Sequence, residues 1–244
     1  MNPFRFFSIL LSFLLPTLLA AQPDTGPKWE QSAHTLFNDW IAHPASELEL
    51  TIETDMRQLL KDKFEEAYQP AVLTYSAPDG ATVRWETELR TRGNRRKEVC
   101  YFPPTKLKFD KTMLLQHGIL PFNKIKLVNE CRATRSFGEY LLKEYLAYRL
   151  HNVVTPHSFR VRLARFRYLD SAAKDKPAEM YGIVLEPEAE LTARLQGVLV
   201  ELGVTYFVHL DDEQANRLAF FQYMIGNTDW NVANMHNLDR KSVV

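Results

Sequence analysis

The chain has 244 residues, of which 45% are hydrophobic, 12% aromatic and 25% charged. These values are typical of globular proteins and exclude a collagen-like, low-complexity or wholly disordered chain. The 30 basic residues are matched by 30 acidic ones, so the overall charge gives no reason to expect nucleic acid as a partner. The chain contains 2 cysteines, too few for a disulfide-rich scaffold.

Residues 1–21 predict a signal peptide. Arg5 is the only charge, an apolar run from Phe6 to Leu19 follows it, and two alanines end the segment. The run is short for a membrane span and polar residues interrupt it. We therefore expect an exported protein, periplasmic, cell-surface or extracellular, with no stable membrane span after cleavage. An uncleaved membrane anchor is the alternative.

Export changes the interpretation of the two cysteines. The spacing of Cys100 and Cys131 fits neither a CxxC motif nor a zinc site. In an oxidising compartment, a structural disulfide between them is favoured. Two buried free thiols are the alternative.

Hydrophobic periodicity predicts the order of helices and strands. The predicted elements are a helix over 30–43, a strand over 48–53, a helix over about 55–68, hairpin strands over 71–76 and 82–92, strand-like runs over 105–111 and 123–128, a helix over 136–152, strands over 158–170 and 180–186, a helix over about 187–196 and a last helix between Asp211 and Gly226. In the helix over 136–152, Ser136 and Glu139 predict a capping box, and the helical spacing predicts a buried stripe of Leu142, Tyr145, Leu146 and Leu150. A change of the apolar face predicts a bulge near Ala164.

This order contains no regular alternation of strand and helix, so it favours an α+β fold with a mostly antiparallel sheet first and helices later. Within the mature chain we predict a leader and helix over 22–47, a sheet-rich region over 48–186 and a helical part over 187–238.

The polar segment over residues 225–237 is the first candidate for chemistry. Asp229 could accept a proton from a hydroxyl group, and the side-chain oxygens of Asn234 and Asn237 suit a hard cation such as Mg²⁺. Asp229 and Asn234 also have the spacing of Asp and Asn in the protein-kinase catalytic loop. The alternative is a turn in which these side chains bind local backbone groups.

Two basic segments are further candidates. Lys126 lies on a predicted strand just before the helix that carries Glu139 and Glu144, an order that suits a lysine gripping a phosphate; Lys124 shares its strand face. An arginine-rich segment over residues 89–100 surrounds Gly93 and Asn94 and could bind phosphates. It includes Arg92, and Lys106 and Lys108 extend it along the chain. The alternatives are solvated lysines and a solvated hairpin rim.

Together, these segments resemble the spore-coat protein H (CotH) kinase-like family, in its exported bacterial branch. The resemblance covers roughly residues 85–237, and the matching motifs are RGN (92–94), PTKLKF (104–109), KIKLV (124–128), EYLLKEYLAYRL (139–150), TPHSFRVRL (155–163), GNTDW (226–230) and HN (236–237).

This resemblance implies an atypical protein-kinase-like fold that transfers phosphate from ATP to Ser/Thr hydroxyls of exported proteins. It implies that Asp229 is the catalytic aspartate and that Asn237, or Asn234, binds Mg²⁺. Lys126 would contact the ATP phosphates, with Glu144 or Glu139 as its partner. We assign Arg92 and Lys108 to the same nucleotide site.

The sequence also departs from the family pattern. No glycine-rich loop is present beyond RGN, and no further metal-binding Asp follows Asn237 convincingly. Residues 239–244 can be back-translated to a common sequencing-adapter sequence, so we interpret them as a non-native tail and expect a C-terminally incomplete, inactive chain. The rival hypotheses are a non-catalytic cell-envelope binding or structural protein and a phosphotransferase for a small molecule or glycan.

Overall fold

The computed structural model of the chain describes residues 34–132, 134–172, 176–198, 211–228 and 230. The strands in this part are β1 (Leu48–Thr54), β2 (Gln69–Ser76), β3 (Thr82–Thr91), β4 (Thr105–Lys108), β5 (Lys124–Asn129), β6 (Val161–Asp170) and β7 (Ala178–Leu185). The helices are α1 (Leu36–Ala42), α2 (Met56–Lys61), α3 (Arg95–Val99), α4 (Lys111–Gln116), α5 (Arg135–Val154), α6 (Glu188–Arg194) and α7 (Asp212–Met224).

The strands close into a single barrel in the order β1-β2-β3-β4-β5-β7-β6. Neighbouring strands are antiparallel except at one seam, where β1 runs parallel to β6 from the pair Leu48–Ala164 to the pair Thr54–Asp170. Each of these strands is therefore hydrogen-bonded on both sides, and the sheet of the described residues has no free edge.

The predicted fold class is wrong. We expected a kinase-like α+β arrangement with an antiparallel N-terminal sheet and a helical C-terminal part. In the described residues, the strands instead form a mixed, closed seven-stranded barrel. The difference arises because β1 and β6 lie more than 100 residues apart in the chain and pair in parallel. Alternation within each strand predicts which residues are buried, but it contains no information about such a distant partner.

The hydrophobic core fills the barrel. Inward-pointing residues such as Leu50, Leu107 and Ile125 are fully buried, and α1 adds Phe37 and Trp40 to the same core. Alternate residues of each strand therefore point into the barrel and the residues between them point outward, as the period of two requires.

An aromatic side chain occupies the space where a Cβ atom at residue 182 would stand, so this position requires glycine. Gly182 of β7 lies opposite Ala164 of β6, and a Cβ atom at Gly182 would stand 1.9 Å from the ring of Phe166. No side chain fits in that space, because real Cβ contacts do not occur at this distance.

Helix α5 lies against the outside of the barrel. It buries a second, smaller apolar cluster formed by Val128, Leu141, Val161, Ile183 and Leu185. Among the described helices, none is long and apolar enough to cross a bilayer.

The bulge predicted near Ala164 is wrong. The pairing of β6 with β7 continues without interruption from Val161–Leu185 to Tyr168–Ala178. The apolar face changes because Val161 points outward to the cluster under α5, whereas Ala164 and Tyr168 point into the barrel.

The predicted disulfide is confirmed. Cys100, directly after α3, is bonded to Cys131, two residues after β5, with 4.5 Å between their Cα atoms. The backbone N–H groups of Tyr101 and Phe102 both donate to the carbonyl of Cys131, at 3.0 and 3.2 Å. The disulfide and these hydrogen bonds hold the segment that follows α3 against the end of β5.

Candidate functional site

A cleft lies on the outer face of strands β3, β4 and β5. We call it the lysine cleft, because its lining includes Lys106, Lys108, Lys111, Lys124 and Lys126. Its volume is about 910 Å³, within the range of small-molecule binding sites. The lysines of β4 and β5 alternate with the fully buried core residues of the same strands, so strand periodicity directs their side chains to the outside.

The strand register places like charges opposite one another in this cleft. Lys106 lies directly opposite Lys126 on one side and opposite Arg90 on the other, and Lys108 lies opposite Lys124. Like charges at directly opposite positions of a sheet destabilise it. Lys106 is thus at the centre of a cationic row across three strands.

Carboxylates neutralise only part of this charge. Lys126 forms an ion pair with Glu188 at the start of α6, and the Nζ of Lys108 lies 2.6 Å from a carboxylate oxygen of Glu88. The side chain of Lys106 forms neither a hydrogen bond nor an ion pair with any residue in the described part of the chain.

The surroundings of Lys106 disfavour its charged form. Burial lowers the pKa of Lys106 to about 8; the carboxylate of Glu188 opposes this shift, and the charges of Lys126 and Arg90 reinforce it. A bound anion would supply the missing counter-charge. The arrangement therefore suits an anionic ligand with several negative charges.

The two sides of the cleft differ in chemistry. One side, which we call the apolar wall, is formed by Phe109, Met113, Pro121 and Phe122. The other is the start of α6, with Pro187, Glu188 and Ala189. Helix α4 brings Met113 into the wall, and its first turn is capped by Asp110, which accepts a hydrogen bond from the Met113 N–H at 2.9 Å.

Only some of the residues that the sequence assigned to the nucleotide site lie in the same cleft. Lys126 and Lys108 line the lysine cleft, whereas Glu144 and Arg92 do not. Glu144 is bonded to Arg96 at 2.8 Å, and the other candidate partner, Glu139, forms an ion pair with Arg135. The carboxylate beside Lys126 belongs to Glu188. The predicted catalytic Asp229 and the predicted metal ligands Asn234 and Asn237 lie outside the described residues.

Much of the arginine-rich segment is engaged within the protein. Residues 95–99 form helix α3, and Lys97 is only 7% exposed, with its Nζ 2.6 Å from Glu66. Arg90 binds the other oxygen of the same carboxylate. The hydrogen bonds from Lys97 and Arg90 hold the pKa of Glu66 below its usual value. These contacts tie α3 to the segment that follows α2.

Sequence reasoning missed Glu188 and the apolar wall. The segment Glu186-Pro187-Glu188 follows a strand and begins a helix with an acidic first turn, which is a recognisable helix start. That pattern places Glu188 on a helix, but only the barrel places the helix beside Lys126. The apolar wall had no signal of its own, because Phe122 and Met113 come from a loop and a short helix that the sequence did not predict.

A second charged group lies behind α6, and we call it the buried cluster. It consists of Glu186 and Glu190, each 0% exposed, with Arg160 and Arg194. Arg194 donates to both oxygens of Glu186, at 2.9 and 3.0 Å, while Arg160 donates to Glu186 at 2.9 Å and to Glu190 at 3.1 Å.

Glu190 is the less compensated carboxylate of the buried cluster. Burial raises the pKa of Glu190 to about 7, although hydrogen bonds from Thr35 and Arg160 favour the charged form. The other carboxylate oxygen of Glu190 has no hydrogen-bond partner. This group connects α6, the start of β6 and the N-cap of α1.

In the part of the chain that the structure describes, no group of three or more His, Cys, Asp or Glu side chains is placed to hold a metal ion. The chain matches no protein-family model, and no curated protein and no solved structure is significantly similar to it. The resemblance to the CotH kinase-like family therefore stays a prediction from the sequence motifs.

Proposed function

We propose that the protein is an exported phosphotransferase that binds ATP in the lysine cleft and transfers phosphate to Ser/Thr hydroxyls of exported proteins. The observation that carries the proposal is the uncompensated Lys106 at the centre of the cationic row formed with Arg90 and Lys126. The motif resemblance adds the reaction type, and the disulfide supports export because such bonds persist in oxidising compartments.

The donor set of the cleft fits the phosphates of ATP. A lysine ammonium group carries three N–H donors and no acceptor, and lysines are common ligands of phosphate. Lys106 and the exposed Lys124 have no described counter-ion, so their charge is available to phosphate oxygens. Lys126 would share its charge between a phosphate and Glu188.

The catalytic part of the proposal rests on the motifs alone. Asp229 would accept the proton of the acceptor hydroxyl, and Asn237, or Asn234, would bind Mg²⁺, which neutralises phosphate charge when bound.

Calorimetric titration of the full chain with ATP and Mg²⁺ tests the binding step without requiring turnover. Phosphotransfer is then measured on the full-length protein with labelled ATP and a protein acceptor. For Asp229→Asn, we expect ATP affinity within about twofold of the original and turnover lower by about 10²–10⁴, the usual contribution of a positioned base. If Asp229 only stabilises a turn, we expect the opposite result: Asp229→Asn lowers the melting temperature and leaves phosphotransfer per folded molecule unchanged.

A non-catalytic envelope-binding protein is the second candidate. The charged residues that line the cleft favour it, since five lysines stand beside the four carboxylates of Glu86, Glu88, Asp110 and Glu188. Such a nearly balanced surface also suits contact with another protein. Absence of ATP binding, together with binding to an envelope protein that Lys106→Met weakens, would favour this candidate over the phosphotransferase.

A further inference from the structure

We propose that the base of the bound nucleotide lies against the apolar wall, so that the cleft selects a nucleoside triphosphate over a plain polyphosphate. This inference rests on the proposed function and adds the orientation of the ligand. It follows from the two chemically different surfaces that the cleft presents side by side, the lysine row and the wall of Met113, Pro121 and Phe122.

The accessible surface of the wall comes from three of its four residues. Phe109 is only 2% exposed and belongs to the barrel core, whereas Met113, Pro121 and Phe122 are half-buried. Partly covered apolar and aromatic side chains gain free energy when a flat, poorly hydrated ring displaces water from them. Phosphate has no such surface, so the wall contributes nothing to an inorganic ligand.

Strand register fixes the direction of the ligand. The pair Lys108–Lys124 is immediately followed by Phe109 on one strand and preceded by Asn123 on the other, so this pair adjoins the wall. The pair Lys106–Lys126 lies two residues farther along the strands, at a distance of roughly 7 Å. A base on the wall therefore leaves the phosphate chain running along the strands toward Lys106.

The remaining sides of the cleft are unsuited to the base. Glu86 and Glu88 line the edge at β3, and Glu188 lines the edge at α6, where it is engaged with Lys126. A base placed there would displace water from charged carboxylates, of which Glu88 is bonded to Lys108 and Glu188 to Lys126, and the desolvation of these charges costs free energy. Of the surfaces that line this cleft, the apolar wall is the one on which burial of the base costs the least free energy.

The test compares ATP with inorganic tripolyphosphate by calorimetry, for the full chain and for Phe122→Ala. We expect ATP to bind about tenfold more tightly than tripolyphosphate, and we expect Phe122→Ala to remove that difference while leaving the tripolyphosphate affinity unchanged. Phe220→Ala is the matched control, because Phe220 is 75% exposed on α7 and does not line the cleft.

Each other outcome identifies what failed. If ATP and tripolyphosphate bind the original chain equally, or if Phe122→Ala weakens both alike, the base does not lie on the wall. If neither ligand binds, the proposed function itself fails. Met113→Ala provides a second variant in case Phe122→Ala does not fold: it should weaken ATP binding alone, and unchanged ATP affinity overturns the inference.

Discussion

Helix α6 separates two charged regions whose charges are compensated in different ways. In the buried cluster, two glutamates and two arginines match one for one, and the helix supplies Glu190 and Arg194. In the lysine cleft, Glu188 pairs with Lys126, but Lys106 has no partner among the described residues. Glu188 and Glu190 face different regions because residues two apart on a helix point about 200° apart.

The difference separates a structural role from a binding role. Buried charges that bind one another hold α6, the start of β6 and the N-cap of α1 together. An unmatched lysine in an open cleft lowers stability, because burial and like charges act against its protonated form. Such a cost is expected where a ligand later supplies the opposite charge.

The largest effect should follow from breaking the buried cluster. In Arg194→Leu, the fully buried carboxylate of Glu186 loses two hydrogen bonds, and the carbonyls of Pro156 and Ser158 lose their donors. We expect the free energy of unfolding to fall by about 3–5 kcal/mol, as when one partner of a buried pair is removed. Chemical denaturation measures this directly.

Arg167→Leu is the control for that experiment. Its ion pair with Glu179 spans 3.5 Å, and both side chains are more than half exposed, so its loss should cost less than about 1 kcal/mol. Equal losses for Arg194→Leu and Arg167→Leu would contradict the assignment of the buried cluster to stability.

The next effect should appear in the cleft as a loss of binding without a loss of stability. Lys106→Met keeps the length of the side chain and removes its charge. We expect ATP affinity to fall by about tenfold, or about 1.4 kcal/mol, while the melting temperature stays the same or rises. Calorimetry and thermal melts on one preparation measure both quantities.

The pH dependence sharpens this prediction. Because the pKa of Lys106 is about 8 before a ligand binds, ATP affinity should decrease as the pH rises from 7 to 9, and Lys106→Met should show less of this decrease. Lys61, at the exposed end of α2, provides the control. Lys61→Met should change neither the ATP affinity nor its decrease with rising pH. A similar loss of affinity in both variants would indicate only a general effect of charge.

The strands illustrate how much of the fold the sequence could predict. The alternation of Leu48, Leu50 and Ile52 predicts a strand with these residues on one face, and β1 confirms that they are buried. The turn residues 78–80 between two strand-like runs predict a hairpin, which β2 and β3 form. Closure was not predictable in this way. The parallel seam between β1 and β6 depends on the shape of the whole sheet rather than on any local pattern.

Helix α5 shows a different limit. Its position along the chain was predicted nearly correctly, but the capping box was wrong, because the N-cap is Thr134 and Glu139 bonds to Arg135. The predicted buried stripe included Leu146 and Leu150, which are 55% and 42% exposed. The helix instead contacts the barrel through Leu141 and Tyr145. Periodicity predicted an amphipathic helix, whereas the barrel surface determines which face is covered.

The candidate site could be predicted only in part for the same reason. Lys126 and Lys108 were assigned to one site from motifs, and both line the cleft. Glu144 was chosen as the partner of Lys126 because the next helix carries it. The carboxylate beside Lys126 is instead that of Glu188, at the start of α6. Distances between side chains on different elements depend on the closed sheet, which the sequence did not predict.

The smallest effect should appear in the pH dependence of the free energy of unfolding. It measures the contribution of the Glu190 carboxyl group. Because the pKa of Glu190 is about 7 in the folded protein, the folded state keeps a proton that the unfolded chain loses near the ordinary value of 4.5. The stabilising contribution of this group is complete below pH 4.5 and is lost as the pH rises through 7. The charged groups that face Glu190 are Arg160, which donates a hydrogen bond to it, and Glu186, which is itself bonded to Arg160 and Arg194.

Glu190→Gln should remove this dependence, because glutamine can still accept a hydrogen bond from Thr35 but cannot ionise. Urea unfolding of the original chain and of the variant should show the stability difference shifting by about 1 kcal/mol in favour of the variant between pH 6 and pH 8. The other titrating groups are common to both chains and cancel in the difference. A difference that stays constant over this range would mean that Glu190 does not change its charge between pH 6 and pH 8, which would contradict the raised pKa of this group.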